Sequence, residues 1–528
     1  MSWFKGREVF LLGLVFFVLI HLFLFNINAA EWGDSYRILR AAQFVKNGTY
    51  PDDEKRPPLF SIILATNPST IEPVVWARGV MFVFSVGSFI VFLKLLSLFF
   101  PDMKQRFKII GVVLFTLNPV FLYWSVRVMA DVPFSFLALL AVYTLMRWKK
   151  GLSLRSKDNP FYYVVLGFIA ALSVLMRFEG FLLTISVLLG LVFPFGVRSV
   201  SEFSLTAAIK GIFGRAKGLF AYLLAFAIAL IPYIMYRNPL SSKYFAEPAH
   251  RTYDFKTVLT YAASLLFIFG LTSAFFFVYA SRKSIREFLS TNVAVASFLF
   301  LELLLILLWP AAIPRLFTAI VPFAVIILSL AIAGYFGTSS PISDFLSGKL
   351  EMVFITLALL VIYAISIFAL GLQFLVIAKY SFMLIVLLQL INIYALTRKN
   401  FNLFGATLFV SLVVWSFSVI WVHKDIFKVV NEAGKYAATL SGRIAYNDVS
   451  AVTPWNLGGK GVFIDVVDKK QGTYEKLKEE NIAYVLVTNE HNPELSYDLT
   501  KRPYLELVKK FEADINGSHF FTVVARVK

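Results

Sequence analysis

Run after run of about twenty apolar residues dominates this chain, and a stretch of that length and composition is what an α-helix needs to cross the hydrocarbon layer of a bilayer. About thirteen such runs can be read, at residues 8–29, 74–99, 109–125, 132–148, 161–176, 180–197, 218–236, 258–281, 292–309, 316–335, 351–371, 374–397 and 401–422. Of 528 residues, 59% are hydrophobic, 17% aromatic and only 16% charged, and the mean hydropathy is +0.74. These values exceed the apolar share of an ordinary soluble domain, so the sequence predicts a polytopic α-helical membrane protein.

The spacing of basic residues sets the expected orientation. Lys5 and Arg7 precede the first run; Lys104, Arg106 and Lys108, then Arg147, Lys149 and Lys150, then Lys210, Arg215 and Lys217, then Arg282 and Arg286, then Arg398 and Lys399 fall in alternate loops. Basic loops stay on the cytoplasmic side, so the amino terminus is expected inside the plasma membrane and the tail outside. Asn28-Ala29-Ala30 resembles a small-residue cleavage site, but the apolar run before it is long for a signal peptide and reads as an uncleaved anchor. The net charge of +18 is accounted for by these clusters and by contact with anionic lipid headgroups, not by a nucleic-acid partner. With no cysteine and five scattered histidines, disulfides, thiol chemistry and a zinc cluster are excluded as expectations. Any metal would be a hard divalent ion such as Mg or Mn held by carboxylates.

Beyond residue 423 the apolar runs shorten. A helix is predicted over 425–440, strands over 443–446 and 462–467, a helix over 473–480, and strands over 483–488 and 520–527. This reads as a membrane domain, residues 1–422 with a first external loop at 30–73, followed by a small extracytoplasmic α/β domain over 423–528.

Ionisable residues that hydrocarbon would penalise cluster at the predicted outer ends of the runs: Glu31 and Asp34 after the first, Arg127 and Asp131 between the third and fourth, Arg177 and Glu179 between the fifth and sixth, and Arg315 before the tenth. Charged groups at such positions point to function. Gly33-Asp34-Ser35-Tyr36, Asn47-Gly48-Thr49-Tyr50 and Arg56-Pro57-Pro58-Leu59-Phe60 together resemble the first external loop of the C-type glycosyltransferases that use polyprenyl-phosphate sugars, a group that includes protein O-mannosyltransferases and lipid A aminoarabinose transferases. Arg127 to Pro133, Arg177-Phe178-Glu179-Gly180 and Pro314-Arg315-Leu316 resemble its later external motifs in the same order. Many relatives carry Asp-Glu where this chain has Asp34-Ser35, and His or Lys where it has Arg56.

The resemblance implies an inverting transfer of a sugar from a dolichyl or undecaprenyl phosphate to a lipid, glycan or protein acceptor, with no obligatory cofactor. Asp34 is then the general base. Arg315, Arg56, Arg177 and Arg251 are candidates for the donor phosphate, and Asp131, Glu179 and Glu31 for holding the sugar or supporting the site. Structural alternatives stand beside these roles. Asp34 can cap the helix predicted near Ser35, Arg177 can simply pair with Glu179, and Asp131 can cap the helix ahead of Pro133. Residues 34–47 place Ile38, Ala41, Ala42 and Val45 on one face and Arg37, Arg40 and Gln43 on another, the pattern of a helix lying in the membrane interface, which makes Arg37 and Arg40 anchors. Asn47-Gly48-Thr49 and Asn516-Gly517-Ser518 are glycosylation sequons, the first reading better as a turn. A transporter or lipid flippase is the competing class, favoured by Glu302 inside an apolar run and by Pro119 and Pro232 within spans.

Overall fold

The computed structural model describes residues 2–155, 159–193, 209, 212–237, 253–269, 283–310, 313–337, 354, 357–358, 360–361, 364–365, 379–464, 473–490 and 502–528. The expected run at 351–371 therefore lies mostly outside the described residues, and Arg251 lies outside them.

The membrane part is a helical assembly. Its elements are α1 (Ser2–Leu24), α2 (Gly33–Lys46), α3 (Leu59–Ala65), α4 (Pro73–Phe99), α5 (Gln105–Thr116), α6 (Pro119–Ser125), α7 (Asp131–Arg155), α8 (Pro160–Met176), α9 (Gly180–Val192), α10 (Ala216–Tyr236), α11 (Phe255–Phe269), α12 (Lys283–Thr291), α13 (Val293–Leu308), α14 (Val321–Gly337), α15 (Lys379–Thr397) and α16 (Phe401–His423). Among the described residues four helices are long and apolar enough to cross a bilayer, or up to six if each of two bent pairs counts as one span. Exposed apolar side chains along α1 and α10, among them Leu12, Phe23, Phe220 and Met235, present the lipid-facing surface that such helices require. Inside, Phe17 of α1 stacks on Phe89 of α4 at 4.4 Å, and Phe92 and Phe121 both meet Phe115 of α5 at 4.5 Å.

Two expected spans differ in a way that bears on the site. The run 109–125 is not one straight helix: α5 and α6 are bent by 52°. The cause is local, because the Asn118 side chain accepts hydrogen bonds from the backbone N–H groups of Val120 and Phe121 and Pro119 occupies the first helical position. The run 316–335 does not begin as a helix of the span. Pro314–Ala319 forms a 3₁₀ turn, and α14 starts only at Val321. The second break brings Ile313, Arg315 and Leu316 to a cavity.

After His423 the chain forms α17 (Lys428–Ala438), β1 (Arg443–Tyr446), α18 (Val452–Leu457), β2 (Gly461–Phe463), α19 (Thr473–Glu479), β3 (Ile482–Thr488), β4 (Leu505–Ile515) and β5 (Ser518–Val527). The sheet order is β2-β1-β3-β5-β4, with β1 parallel to β2 and β3, and with β5 antiparallel to β3 and β4. β4 and α18 were not anticipated from the sequence. The β4–β5 connection is the two-residue loop Asn516-Gly517, with φ of 52° and 81°, the left-handed pair that a tight hairpin demands. α2 also departs from expectation. Its face of Ile38, Ala41 and Ala42 is buried in protein, with the Ser61 hydroxyl of α3 donating to the Ile38 carbonyl and Tyr36 packed against Trp455 of α18. It is a wall between the helical assembly and the sheet domain, not a lipid anchor.

Glycine sets one approach that fixes the site. A Cβ on Gly180 would lie 2.3 Å from the Ser173 carbonyl carbon and the Val174 nitrogen, so only glycine lets α9 fold back against α8 across the Arg177–Glu179 turn. Gly180→Ala should lower the thermal stability of the detergent-purified protein by an amount in the overpacking range, about 1–3 kcal/mol.

Candidate active site

A cavity of about 890 Å³ opens where four turns of the helical assembly meet the sheet domain. The first external loop brings Asp34 and Arg56, the α6–α7 turn Met129 and Asp131, the α8–α9 turn Arg177 and Glu179, and the 3₁₀ turn Arg315. Val449, Glu490 and Phe520 line it from the sheet domain.

Asp34 sits in the first turn of α2, whose N-cap is Trp32 with no side-chain cap bond, so the capping role expected as its alternative is not the one it plays. Its carboxylate is bridged instead. Oδ1 lies 2.6 Å from an Arg56 guanidinium nitrogen and Oδ2 3.0 Å from Nη1 of Arg315. Each arginine is held in turn. Arg56 donates at 3.0 Å to Glu54, which also accepts its backbone N–H, while the Tyr50 hydroxyl donates to the Arg56 carbonyl. Arg315 lies over the Trp124 ring at 5.6 Å, donates to the Met129 sulfur and has Nε 3.8 Å from Asp131. Arg177 bridges Asp131 and Glu179. The salt bridge between Arg177 and Glu179, weighed above as a purely structural alternative, is thus present within the cavity wall.

Burial alone would raise the Asp34 carboxyl. Arg56 and then Arg315 outweigh it and hold the group well below the usual carboxylate range. Burial acts to lower Arg56 as well, but Asp34 and Glu54 overcome it and keep the guanidinium firmly charged. The Asp34 side chain is 32% exposed, so the pair is open to the cavity on one side.

Other candidates stand elsewhere. Glu31 does not reach the cavity: it is fully buried, pairs with Arg78 at 2.8 Å and accepts the Val128 N–H. Sugar contact is thereby ruled out for it, and support of the α6–α7 turn is what its bonds provide. Asp131, the first residue of α7, has its carboxylate on Arg177 and beside Arg315.

Several residues given other roles in the sequence analysis line the site or support it. Arg37 lines the cavity one turn after Asp34, and Arg40 pairs with Asp53, so neither is the simple anchor expected. The three-residue spacing of Asp34 and Arg37, which puts both on one helix face, was the available signal. Glu302 of α13, read as a hint of transport, is buried within electrostatic reach of Glu179, Arg177 and Asp131. Arg127 is fully buried: it donates to the Ala30 carbonyl at 2.9 Å and to the His423 carbonyl at 2.7 Å, and lies over Trp32 and Tyr123. It ties the start of the first loop to the end of α16, where the sheet domain begins. Asn516 of the second sequon donates to the Val422 carbonyl, fastening the hairpin to the same end.

Among the described residues no three His, Asp or Glu side chains converge as a metal-holding group. The donor set does not suit a divalent ion at Asp34 either, because both of its oxygens face guanidinium cations and the adjacent Ser35 is neutral and buried.

Two outcomes follow from this geometry. Because the folded-state carboxyl of Asp34 titrates below its unfolded value, the stabilisation it gives is present at neutral pH and is lost only as pH falls through the depressed folded value. Asp34→Asn should therefore melt at a lower temperature than the parent at pH 7 and still at pH 4, the two curves converging only in stronger acid. Arg127→Gln should destabilise by about 1–3 kcal/mol for each carbonyl left unpaired, read by thermal unfolding, and should expose the 423–428 segment to protease.

No protein-family model matches the sequence, and no curated protein matches it. Solved structures do match in fold. ArnT from Cupriavidus metallidurans in the apo state superposes with a TM-score of 0.62 at 9% identity, over 99% of this chain and 98% of that one. The same protein bound to undecaprenyl phosphate gives 0.58 at 9% identity, over 98% and 97%. The archaeal oligosaccharyltransferase AglB from Archaeoglobus fulgidus, in complex with an inhibitory peptide and a dolichol-phosphate, gives 0.50 at 12% identity, over 98% of this chain and 74% of that one. This chain thus shares the overall fold of ArnT and AglB.

Proposed function

We propose that the chain is an inverting glycosyltransferase that moves a sugar from a polyprenyl phosphate to a hydroxyl of a lipid, glycan or protein acceptor on the extracytoplasmic face. The observation that carries this reading is a carboxylate set between two guanidiniums in a large cavity, on a fold whose relative ArnT was solved with undecaprenyl phosphate. The cationic loops lie inside and the cavity outside, with about thirteen spans in all. Residues 1–422 carry the chemistry and residues 423–528 close over it.

In this reaction the acceptor oxygen attacks the anomeric carbon as the bond from that carbon to the phosphate oxygen breaks, and the polyprenyl phosphate leaves with the bonding pair. The acceptor proton passes to Asp34. Negative charge grows on the departing phosphate, and Arg315 and Arg56 meet it with planar, charge-assisted hydrogen bonds. Asp131 and Glu179, fixed by Arg177, face the sugar hydroxyls. A single displacement of this kind inverts the anomeric configuration. Ser35, neutral beside Asp34 where many relatives carry a second carboxylate, supports a transfer that needs no divalent ion.

The test is transfer from a panel of polyprenyl-phosphate sugars by membranes expressing the chain. Asp34→Asn should reduce turnover by about 10²–10⁴-fold at normal expression. Arg315→Ala should reduce turnover and weaken donor affinity together, and a chelator should leave the rate of the parent unchanged. Undiminished transfer by Asp34→Asn would remove that residue from the mechanism, and net lipid translocation without transfer would favour a flippase.

A further inference from the structure

The site as it stands contains a contradiction that its geometry resolves. A base must be ready to take a proton from the incoming hydroxyl, yet a carboxylate paired with two cations is a poor proton acceptor, and each Asp34 oxygen is engaged by a guanidinium, at 2.6 Å and 3.0 Å. Those are the same two guanidiniums that the proposed reaction needs for the phosphate. The carboxylate thus occupies, from within the chain, the anion position of the lipid phosphate.

We infer that donor binding is an exchange: the lipid phosphate displaces Asp34 from Arg56 and Arg315, so that the base is released only once the donor is seated, and the acceptor follows. This rests on the function proposed above and adds to it an order of binding and an internal competitor. Three features support it. Asp34 stands on the first turn of α2 with no capping bond to hold it, so its side chain can turn away without cost to the helix. Both arginines have second supports that outlast the exchange, Glu54 for Arg56 and Trp124 with Asp131 for Arg315. The pair is open on the cavity side, where the Asp34 side chain is 32% exposed and the two arginines 17% and 18%. Arg37 also lines this cavity and has no ion-pair partner among the described residues, a cation placed to meet an anion before the exchange.

The chemistry favours the direction of exchange as the reaction proceeds. The donor phosphate is a diester with one negative charge, whereas the leaving phosphate is a monoester that gains a second. The arginines therefore bind the product side more strongly than the substrate side, while the carboxylate they have left becomes a better acceptor for the proton.

The experiment is equilibrium binding of farnesyl phosphate, a soluble isoprenyl monophosphate, to the purified full-length chain in detergent, with farnesol as the uncharged control. If Asp34 competes from within, its removal strengthens binding: Asp34→Asn and Asp34→Ala should each bind farnesyl phosphate about tenfold tighter than the parent, the worth of one charge-assisted hydrogen bond, with farnesol unchanged. Misfolding cannot produce such a gain. In an Arg315→Gln background the same substitution should give a smaller gain, since one of the contested cations is gone. Equal or weaker binding by the Asp34 variants, beside normal binding by the parent, overturns the exchange and leaves the donor site intact. So does an undiminished gain in the Arg315→Gln background, which would mark a bulk charge effect. Absence of farnesyl phosphate binding in every variant overturns the donor site itself.

Discussion

The bridge from Asp34 to Arg56 and Arg315 is the interaction on which the arrangement of the cavity depends. Two guanidiniums within reach of one carboxylate would repel each other, and the surrounding acids are what keep them together. Glu54 holds one from the loop, Asp131 approaches the other from α7, and Trp124 offers its ring face beneath it. Arg177 then neutralises Asp131 and Glu179 in the next turn. The result is a continuous chain of alternating charge from Glu54 to Glu179, each inner member with a partner on either side. Removing one partner from a buried pair of this kind is far more damaging than replacing both, so the chain behaves as a unit.

This charged layer is positioned by a second one that never reaches the cavity. Arg127 and the Glu31–Arg78 pair are buried, and their bonds go mostly to backbone: the carbonyls of Ala30, His423 and Asn28 and the N–H of Val128. Backbone partners matter because they fix where chain segments run, not merely where side chains point. The loop carrying Asp34, the α6–α7 turn carrying Asp131 and the end of α16 are thereby locked at one level. Burying arginine is expensive in a low-dielectric interior, and for Arg127 the two bonds to the Ala30 and His423 carbonyls, with the Trp32 and Tyr123 rings against its guanidinium, offset part of that expense.

Which parts of this were legible in the sequence depends on the range of the interaction. The apolar runs announced helices because their length is a local property, and Pro119 marked an interruption, but the bend that the Asn118 side chain decides there was not legible. Asp34, Arg56, Arg177 and Arg315 stood out because ionisable groups at the ends of apolar runs are costly. That Arg315 meets Asp34 across 281 positions was not legible, since nothing local encodes it. Arg37 was assigned to lipid because its helix shows an apolar face, and that face turned out to be covered by α3 and α18 instead. β4 escaped because its burial is slight and its alternation is masked by lysine and glutamate, although Asn516-Gly517 carried a hairpin signal beside the sequon reading.

The sheet domain supplies the last element of the argument. One side of the cavity is lined by the sheet domain, and charge pairs left in water are weak and screened. Closing that side with Val449, Phe520 and the hairpin tip replaces solvent with protein, which strengthens each pair beneath. The same closure explains why fastening points cluster at the end of α16: Arg127 binds the His423 carbonyl, Asn516 binds the Val422 carbonyl, and Glu490 accepts the N–H of Phe427, whose φ of 59° turns the chain sharply into α17. A domain tethered at a single helix end would sway over the cavity. Bonds from both sides of that turn hold it in register with Asp34, so the roof and the charged floor act as one compartment.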